Sequence, residues 1–425
     1  MYRAILISDL HMSLGPTCNV EDFFADESLV ALLDDPLLHA EGGSRVDLVL
    51  LGDAFDLWQT ALQDVEYTAD DSRQVSLDYT PESEALRLER VEEAHRGVFR
   101  ALARFVKRPG CRLTLVEGNH DHSLVEAGVV QKKVRGLFGD AVRIVPHFDE
   151  PALALYAEHG NQWDQNNGYA SFQHFGWKEE CDGYFFVRLF WNRLETLAPD
   201  VDELPHTWNR VWPYILPIIR RSPKILGQAI RFWAQYRRDE RVPHPIAVFA
   251  PAGAGALGDA CGPDLLMTPR GFGGHVFSID AEVERALREA YHAEPEVRKA
   301  IDEVRPAKAF PVPHPDAPVG AEAPAFALRS SKLDGQEGAE KLFTQNPTGK
   351  TSPLDPQTYR HIVFGHTHQA GKSRLSNGAW YVNSGCWTGR HTPCLSVVVA
   401  EKDDGPSRVG LGEFAAGRLR VDLRE

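Results

Sequence analysis

Arg112-Leu-Thr-Leu-Val116, followed at once by Glu117-Gly118-Asn119-His120-Asp121, decides how this chain reads. A short apolar, β-branched run ending at a Gly turn is the pattern of a buried strand. Here the chain leaves that strand through side chains able to bind metals and move protons. The same arrangement occurs three more times in the first half. Residues 4–8 stop at Asp9-Leu10-His11, residues 47–51 stop at Gly52-Asp53, and residues 152–157 stop at His159-Gly160. Between the second and third strands, residues 81–107 place Leu88, Val91, Val98, Leu102 and Phe105 on one helical stripe. Pro81 stands at its start, where a missing N–H is harmless. Strand, helix, strand in alternation predicts a layered α/β sheet. Strands return at His361–Phe364, Trp380–Asn383 and 395–399, the first running into Gly365-His366-Thr367-His368. Asn383-Ser384-Gly385-Cys386-Trp387 has two readings, a plain β-turn first and a loop that approaches the strand-end residues second.

Residues 165–305 differ in character, being helical and aromatic-rich, and nine prolines in residues 306–356 mark an extended connector. The expected organisation is therefore a core in two parts, 1–164 and 357–425, separated by a helical cap insertion (165–305) and a Pro-rich connector (306–356). Within the insertion, residues 205–238 hold seven basic side chains and no acid: Arg210, Arg220, Arg221, Lys224, Arg231, Arg237 and Arg238. Trp208, Trp212, Tyr214, Phe232, Trp233 and Tyr236 interleave with them. This stretch has three readings: a solvated, aromatic-packed helix face, a lid whose Arg220 and Arg221 meet phosphate, or an interfacial segment on anionic membrane. Gly253-Ala-Gly255-Ala-Leu-Gly258 matches a dinucleotide-binding spacing, but the Asp-Ala-Cys-Gly-Pro that follows starts no helix to receive a pyrophosphate. His275, in a Gly-rich run, reads as a surface loop residue.

Composition narrows the classes. The net charge is −14 and a quarter of the residues are charged, an ordinary globular balance that excludes collagen, a coiled-coil rod and wholesale disorder. No apolar run approaches the roughly 18 residues of a membrane span, and the N-terminal apolar stretch is too short for a signal peptide. A cytoplasmic chain is expected, with its six cysteines as reduced thiols.

The strand ends taken together carry the chemistry. Asp9, His11, Asp53, Asn119, His159, His366 and His368 are the oxygen and nitrogen ligands that suit Mn²⁺, Fe²⁺ or Zn²⁺. In open α/β sheets, ligands bind beyond the carboxyl ends of the strands. Five loops converging there can hold two ions about 3.5–4 Å apart, which need a shared carboxylate, and Asp53 is the natural bridge.

In order and motif by motif, Asp9-x-His11, Gly52-Asp53-x-x-Asp56, Gly118-Asn119-His120-Asp121, His159-Gly160 and Gly365-His366-x-His368 resemble the calcineurin-like metallophosphoesterase superfamily. The resemblance covers roughly residues 1–165 and 355–400. It implies a four-layer α/β/β/α sandwich with the helical insertion as a cap, and a metal-dependent phosphoric ester hydrolase. It further implies that Asp9, His11, Asp53 and His368 hold one ion, and Asp53, Asn119, His159 and His366 the other, with Mn²⁺ the first expectation. His120 would touch phosphate with Asn119 beside it and protonate the leaving oxygen, and Asp121 would orient that imidazole. Asp56 is open between a site role and loop backbone. More weakly, Gly52-Asp-x-Phe-Asp-x-Trp58 is similar to UDP-2,3-diacylglucosamine pyrophosphatases, although Asn161 stands where Asp is common there and the insertion is much longer. That similarity implies a nucleotide- or lipid-linked substrate and peripheral contact with the inner face of a membrane through 205–238. Two rivals stand beside it: a nuclease or phosphodiesterase whose basic stretch tracks a nucleic-acid backbone, and a metal-free scaffold, which should have lost ligands that are all present here.

Overall fold

Each strand that feeds the motifs has apolar residues on both of its faces, so it needs cover on both sides. The computed structural model provides it. The structure describes residues 1–18, 20–62, 80–164, 335–345, 352–389 and 395–423, together with 167–168, 181, 183–184 and 187. The cap expected over 165–305 and the connector up to residue 334 lie almost wholly outside the described residues. So do Arg220, Arg221 and the whole 205–238 stretch, the Gly253–Gly258 spacing and His275.

The larger sheet runs β12-β11-β10-β1-β2-β3-β4. In it β1 (Tyr2–Ile7), β2 (Arg45–Leu51), β3 (Cys111–Val116) and β4 (Arg143–Val145) are parallel neighbours. β10 (Ser396–Lys402) lies antiparallel to β1, followed outward by β11 (Arg408–Ala415) and β12 (Arg418–Asp422). The smaller sheet runs β5-β6-β7-β9-β8, with β6 (Leu155–Ala157), β7 (His361–Phe364) and β9 (Trp380–Asn383) parallel. Its edges are β5 (Phe148–Glu150) and β8 (Gly371–Arg374). The chain is thus mixed α/β with two mixed sheets.

Alternation along the strands sorts side chains to the two faces. Ala4, Leu6, Val49, Leu51 and Val116 meet Leu155, Ala157, Val363 and Val382 in one apolar layer between the sheets. Ile5, Ile7, Leu48, Leu50, Leu113 and Leu115 face the other way. They pack on helices α1 (Asp26–Leu32), α2 (Pro81–Ala94), α3 (Arg96–Phe105) and α5 (Gly128–Phe138), with the short α4 (Ser123–Glu126) between β3 and α5. On the outer side of the smaller sheet, Tyr156, Ile362, Phe364 and Tyr381 are covered by Ala339 and Leu342. These belong to α6 (Gln336–Lys341) and the residue after it, so part of the expected connector is a packed helix.

Two further boundaries differ from the sequence reading. The single helical stripe over 81–107 is two helices. Thr80 and Ser83 form a reciprocal cap at the start of α2, and the break falls at His95 (φ −109°, ψ 34°). The buried His95 ring is pinned between Asp26 (Nδ1 to Oδ1 3.0 Å) and Glu21 (Nε2 to Oε2 3.2 Å), and the helix turns to reach them. The strand expected at 152–157 begins only at Leu155, because Pro151–Leu153 form a 3₁₀ turn ended by left-handed Ala154 (φ 51°).

Register positions the site. Ile7 pairs with Leu50 and Leu51 with Val116, so the loops after β1, β2 and β3 leave one edge together. Ala157 pairs with Val363 and Phe364 with Asn383, which does the same for the smaller sheet.

Candidate metal centre

The loops leaving these aligned edges bend at once. Among the described residues seven non-glycines hold positive φ, and five of them are candidate ligands: Asp9 (53°), His11 (52°), Asp53 (48°), His366 (68°) and His368 (56°). Such backbone is unfavourable for residues with a Cβ and clusters at functional sites. Two glycines make room. A Cβ on Gly118 would sit 2.1 Å from Asp53 Oδ1, and one on Gly52, itself at φ +80°, would lie 2.4 Å from the His159 ring.

Asp9, His11, Asp53 and His159 are buried. His11 Nδ1 bonds Asp56 Oδ2 at 2.8 Å, and His159 Nδ1 bonds the Leu51 carbonyl at 3.0 Å. A carbonyl or an ionised carboxylate only accepts, so both Nδ1 atoms donate and both Nε2 atoms are left for the site. Neither Nε2 has a hydrogen-bond partner within normal geometry, and the two lie 3.7 Å and 3.0 Å from Asp53 Oδ2. Asp9 Oδ1 lies 3.2 Å from His368 Nε2 and 3.9 Å from His159 Nε2, while the His366 N–H donates to the Asp9 carboxylate at 3.0 Å.

Four ligand groups occur among the described residues, two of them being His11 with Asp53 and His120 and His11 with Asp22 and Asp56, and the other two match the expected ion sites. Asp9, His11 and His368 each offer one ligand atom, all within 4.8 Å of one another, and so do Asp53, His159 and His366. Asp53 faces both. Asn119 is buried in the same turn, between Gly118 and His120, whose N–H donates to Asp53 Oδ1 at 2.8 Å.

The electrostatics call for cations. Burial works against charge on every group here, yet the carboxylates facing them hold the His11 imidazolium up at about 9 and that of His159 at about 10. Despite burial, His159 and His368 hold Asp9 below the usual carboxylate range, and His159, His120 and His11 hold Asp53 well below it. Protons and a divalent ion compete for the same nitrogen and oxygen atoms, since a metal binds such ligands in their deprotonated form. These His/Asp groups are fit to hold metal ions.

His120 is held differently from expectation. Its Nδ1 bonds Asp56 Oδ1 at 2.8 Å, and its ring stacks on Trp58 with centroids 4.1 Å apart. Asp121 does not orient the imidazole. Its carboxylate instead accepts backbone N–H groups of Gly118 (2.7 Å), Ala54 (2.8 Å), Phe55 (3.2 Å) and Asp53 (3.3 Å), tying two ligand turns together. Asp56, with one oxygen on His11 and the other on His120, takes the orienting role. Burial and the neighbouring Asp53 charge raise Asp121 to about 7.

Sequence reasoning assigned no role to four contributors. Asp164 Oδ2 lies 3.0 Å from His366 Nε2. Ser8 Oγ bonds Asp9 Oδ2 and, at 2.6 Å, Ser384 Oγ, so the 383–387 turn braces the first ligand. Trp58 supports the His120 ring. Only Trp58, within a quoted motif, and Ser384, within the 383–387 stretch, carried any signal; Asp164 and Ser8 look like turn residues. Comparison of the chain with models of protein families and with curated proteins finds no match.

Proposed function

We propose that the chain is a dinuclear-metal phosphoesterase, hydrolysing a phosphoester or pyrophosphate bond. The observation that carries this reading is the pair of ligand groups meeting at Asp53, with the His120 ring held beside them by Asp56. Asp9, His11, Asp53 and His368 would hold one ion, and Asp53, Asn119, His159 and His366 the other, Mn²⁺ being the first candidate and Fe²⁺ or Zn²⁺ fitting the same donors. When bound, such ions supply Lewis acidity toward phosphoryl oxygens and acidify a coordinated water.

The chain's own residues do the rest. Asp56 accepts from His120 Nδ1–H, so proton transfer falls to Nε2, which gives a proton to the leaving oxygen from the doubly protonated ring and is left with its lone pair. The same Asp56 fixes His11 with Nε2 toward the site, which couples ligand and acid through one buried carboxylate. Trp58 holds the His120 ring plane, and Asp121 keeps the Asp53 and Gly118 turns in register.

The finer architecture belongs to the same proposal: a four-layer α/β/β/α core with residues 165–305 as its cap. Arg220, Arg221 and the aromatics of 205–238 would meet a nucleotide- or lipid-linked phosphate, with membrane contact through that stretch. No described helix is long and apolar enough to cross a membrane.

The test is turnover of p-nitrophenyl phosphate, bis-p-nitrophenyl phosphate, a UDP-sugar and single-stranded DNA by metal-stripped protein with Mn²⁺ restored. Mn²⁺-dependent hydrolysis that falls by roughly 10²–10⁴ in His120→Ala is expected. The preferred compound separates a small-substrate esterase or pyrophosphatase from the nuclease reading, which also requires steep salt dependence. Hydrolysis indifferent to Mn²⁺, or unchanged in His120→Ala, would contradict the proposal.

A further inference from the structure

We infer that Asp164 is a positioning residue for the second ion site, holding His366 by Nε2 so that Nδ1 is the nitrogen turned to the metal. The inference rests on the two-ion reading above and deepens it.

Asp164 ends the 3₁₀ turn Asn161–Trp163 that follows His159-Gly160 directly. Both ends of that turn are fixed. Gly160, at φ +104°, lets the chain double back from β6, and the Trp163 indole donates to Glu158 Oε1 at 2.6 Å. Beyond it, Asn167 Nδ2 donates to Asp164 Oδ2 at 2.7 Å, and Gly168 N–H to the Asp164 carbonyl at 2.7 Å. The carboxylate therefore has a built position, although its side chain is about one-third exposed.

His366 reaches it from the opposite loop. Its backbone is set by the N–H bonds to Asp9 and by its left-handed φ, and its ring meets the His159 ring edge-on with centroids 5.3 Å apart. With Nε2 at 3.0 Å from Asp164 Oδ2, an ionised carboxylate requires Nε2 to carry the hydrogen. Nδ1 then keeps its lone pair. His366 belongs to the group with Asp53 and His159, so the nitrogen presented there is Nδ1. Carboxylate, imidazole and metal in line is a general way of fixing a ligand's tautomer and raising its basicity, and loss of the carboxylate typically costs 10–100-fold in metal affinity. Asp164 is also the last residue before the 165–305 insertion, so the second ion's ligand is braced from the root of that segment.

Mn²⁺ titration of the metal-stripped full chain, read by calorimetry and by electron paramagnetic resonance, tests this on wild type, Asp164→Ala, Asp164→Asn and His366→Ala. Wild type should bind two ions and give the spectrum of a spin-coupled pair. Asp164→Ala should weaken the second ion by about 10–100-fold and lose the coupled signal at subsaturating metal, in the direction of His366→Ala. Asp164→Asn, whose amide oxygen still accepts from Nε2–H, should stay close to wild type, which a general loss of folding would not allow. Asp164→Ala binding both ions as tightly as wild type would overturn the inference alone. So would Asp164→Asn failing as badly as Asp164→Ala, since the carboxylate would then be a ligand itself. Fewer than two ions in wild type would overturn it together with the two-ion reading.

Discussion

At Asp56 one carboxylate serves two imidazoles, His11 through Oδ2 and His120 through Oδ1, each at 2.8 Å. Burial opposes its charge, but His120 and His11 hold its pKa well below the ordinary range. It is therefore held in the ionised form at neutral pH, and its removal frees two rings at once. Asp56→Ala should lower turnover by at least the 10²-fold ascribed to a general acid and weaken Mn²⁺ binding by about 10–100-fold. Steady-state kinetics alongside metal titration checks this, and a variant that changes neither would reduce Asp56 to a loop residue. The seven candidate ligands were legible because carboxylates and imidazoles at strand ends have few other uses. The partners of Asp56 and Asp121 were not. Gly52-Asp53-x-x-Asp56 and Gly118-Asn119-His120-Asp121 look alike as strand-end turns, and only the folded loops set Asp56 against two rings and Asp121 against backbone N–H groups.

His95 illustrates the element scale, since it divides α2 from α3 and fastens both to the loop that follows His11. Glu21, which binds its Nε2, also accepts the N–H groups of Ser13, Gly15 and Phe23. Burial disfavours charge on this imidazole, but Asp26 and Glu21 outweigh it and raise the pKa to about 9. A raised pKa means that the folded state binds the proton more tightly than the unfolded chain does. Its contribution is complete below the unfolded value of about 6.5 and fades as pH rises through about 9. Thermal melts should thus lose on the order of 3 kcal/mol of stability across that window. His95→Gln should flatten the dependence, and equal slopes in the two proteins would contradict the assignment. β1, β2, β3, β6, β7, β9 and β10 were readable from their apolar runs. β4, β5, β8, β11 and β12 were not, since they are short or punctuated by Gly and charge and gain pairing only beside strands already in place. The interruption at His95 escaped notice because helical periodicity continues through it, the break being set by tertiary partners.

For the whole molecule, a net −14 with a buried group of carboxylates and imidazoles makes cation binding the dominant event awaiting test. A layered α/β sheet with a shared edge of functional loops followed from where apolar runs stop, whereas the second sheet was implied only by the family resemblance. The packed helix Gln336–Lys341 did not, because proline density on either side of it reads as extended chain. Elemental analysis of the purified full-length protein beside Asp53→Ala is the most direct measurement of the central claim. The account predicts about two divalent transition-metal ions per chain in wild type, and loss of both when the shared carboxylate is removed. A wild-type chain that takes up no such ion even after incubation with Mn²⁺, or an Asp53→Ala chain that keeps two, would contradict it.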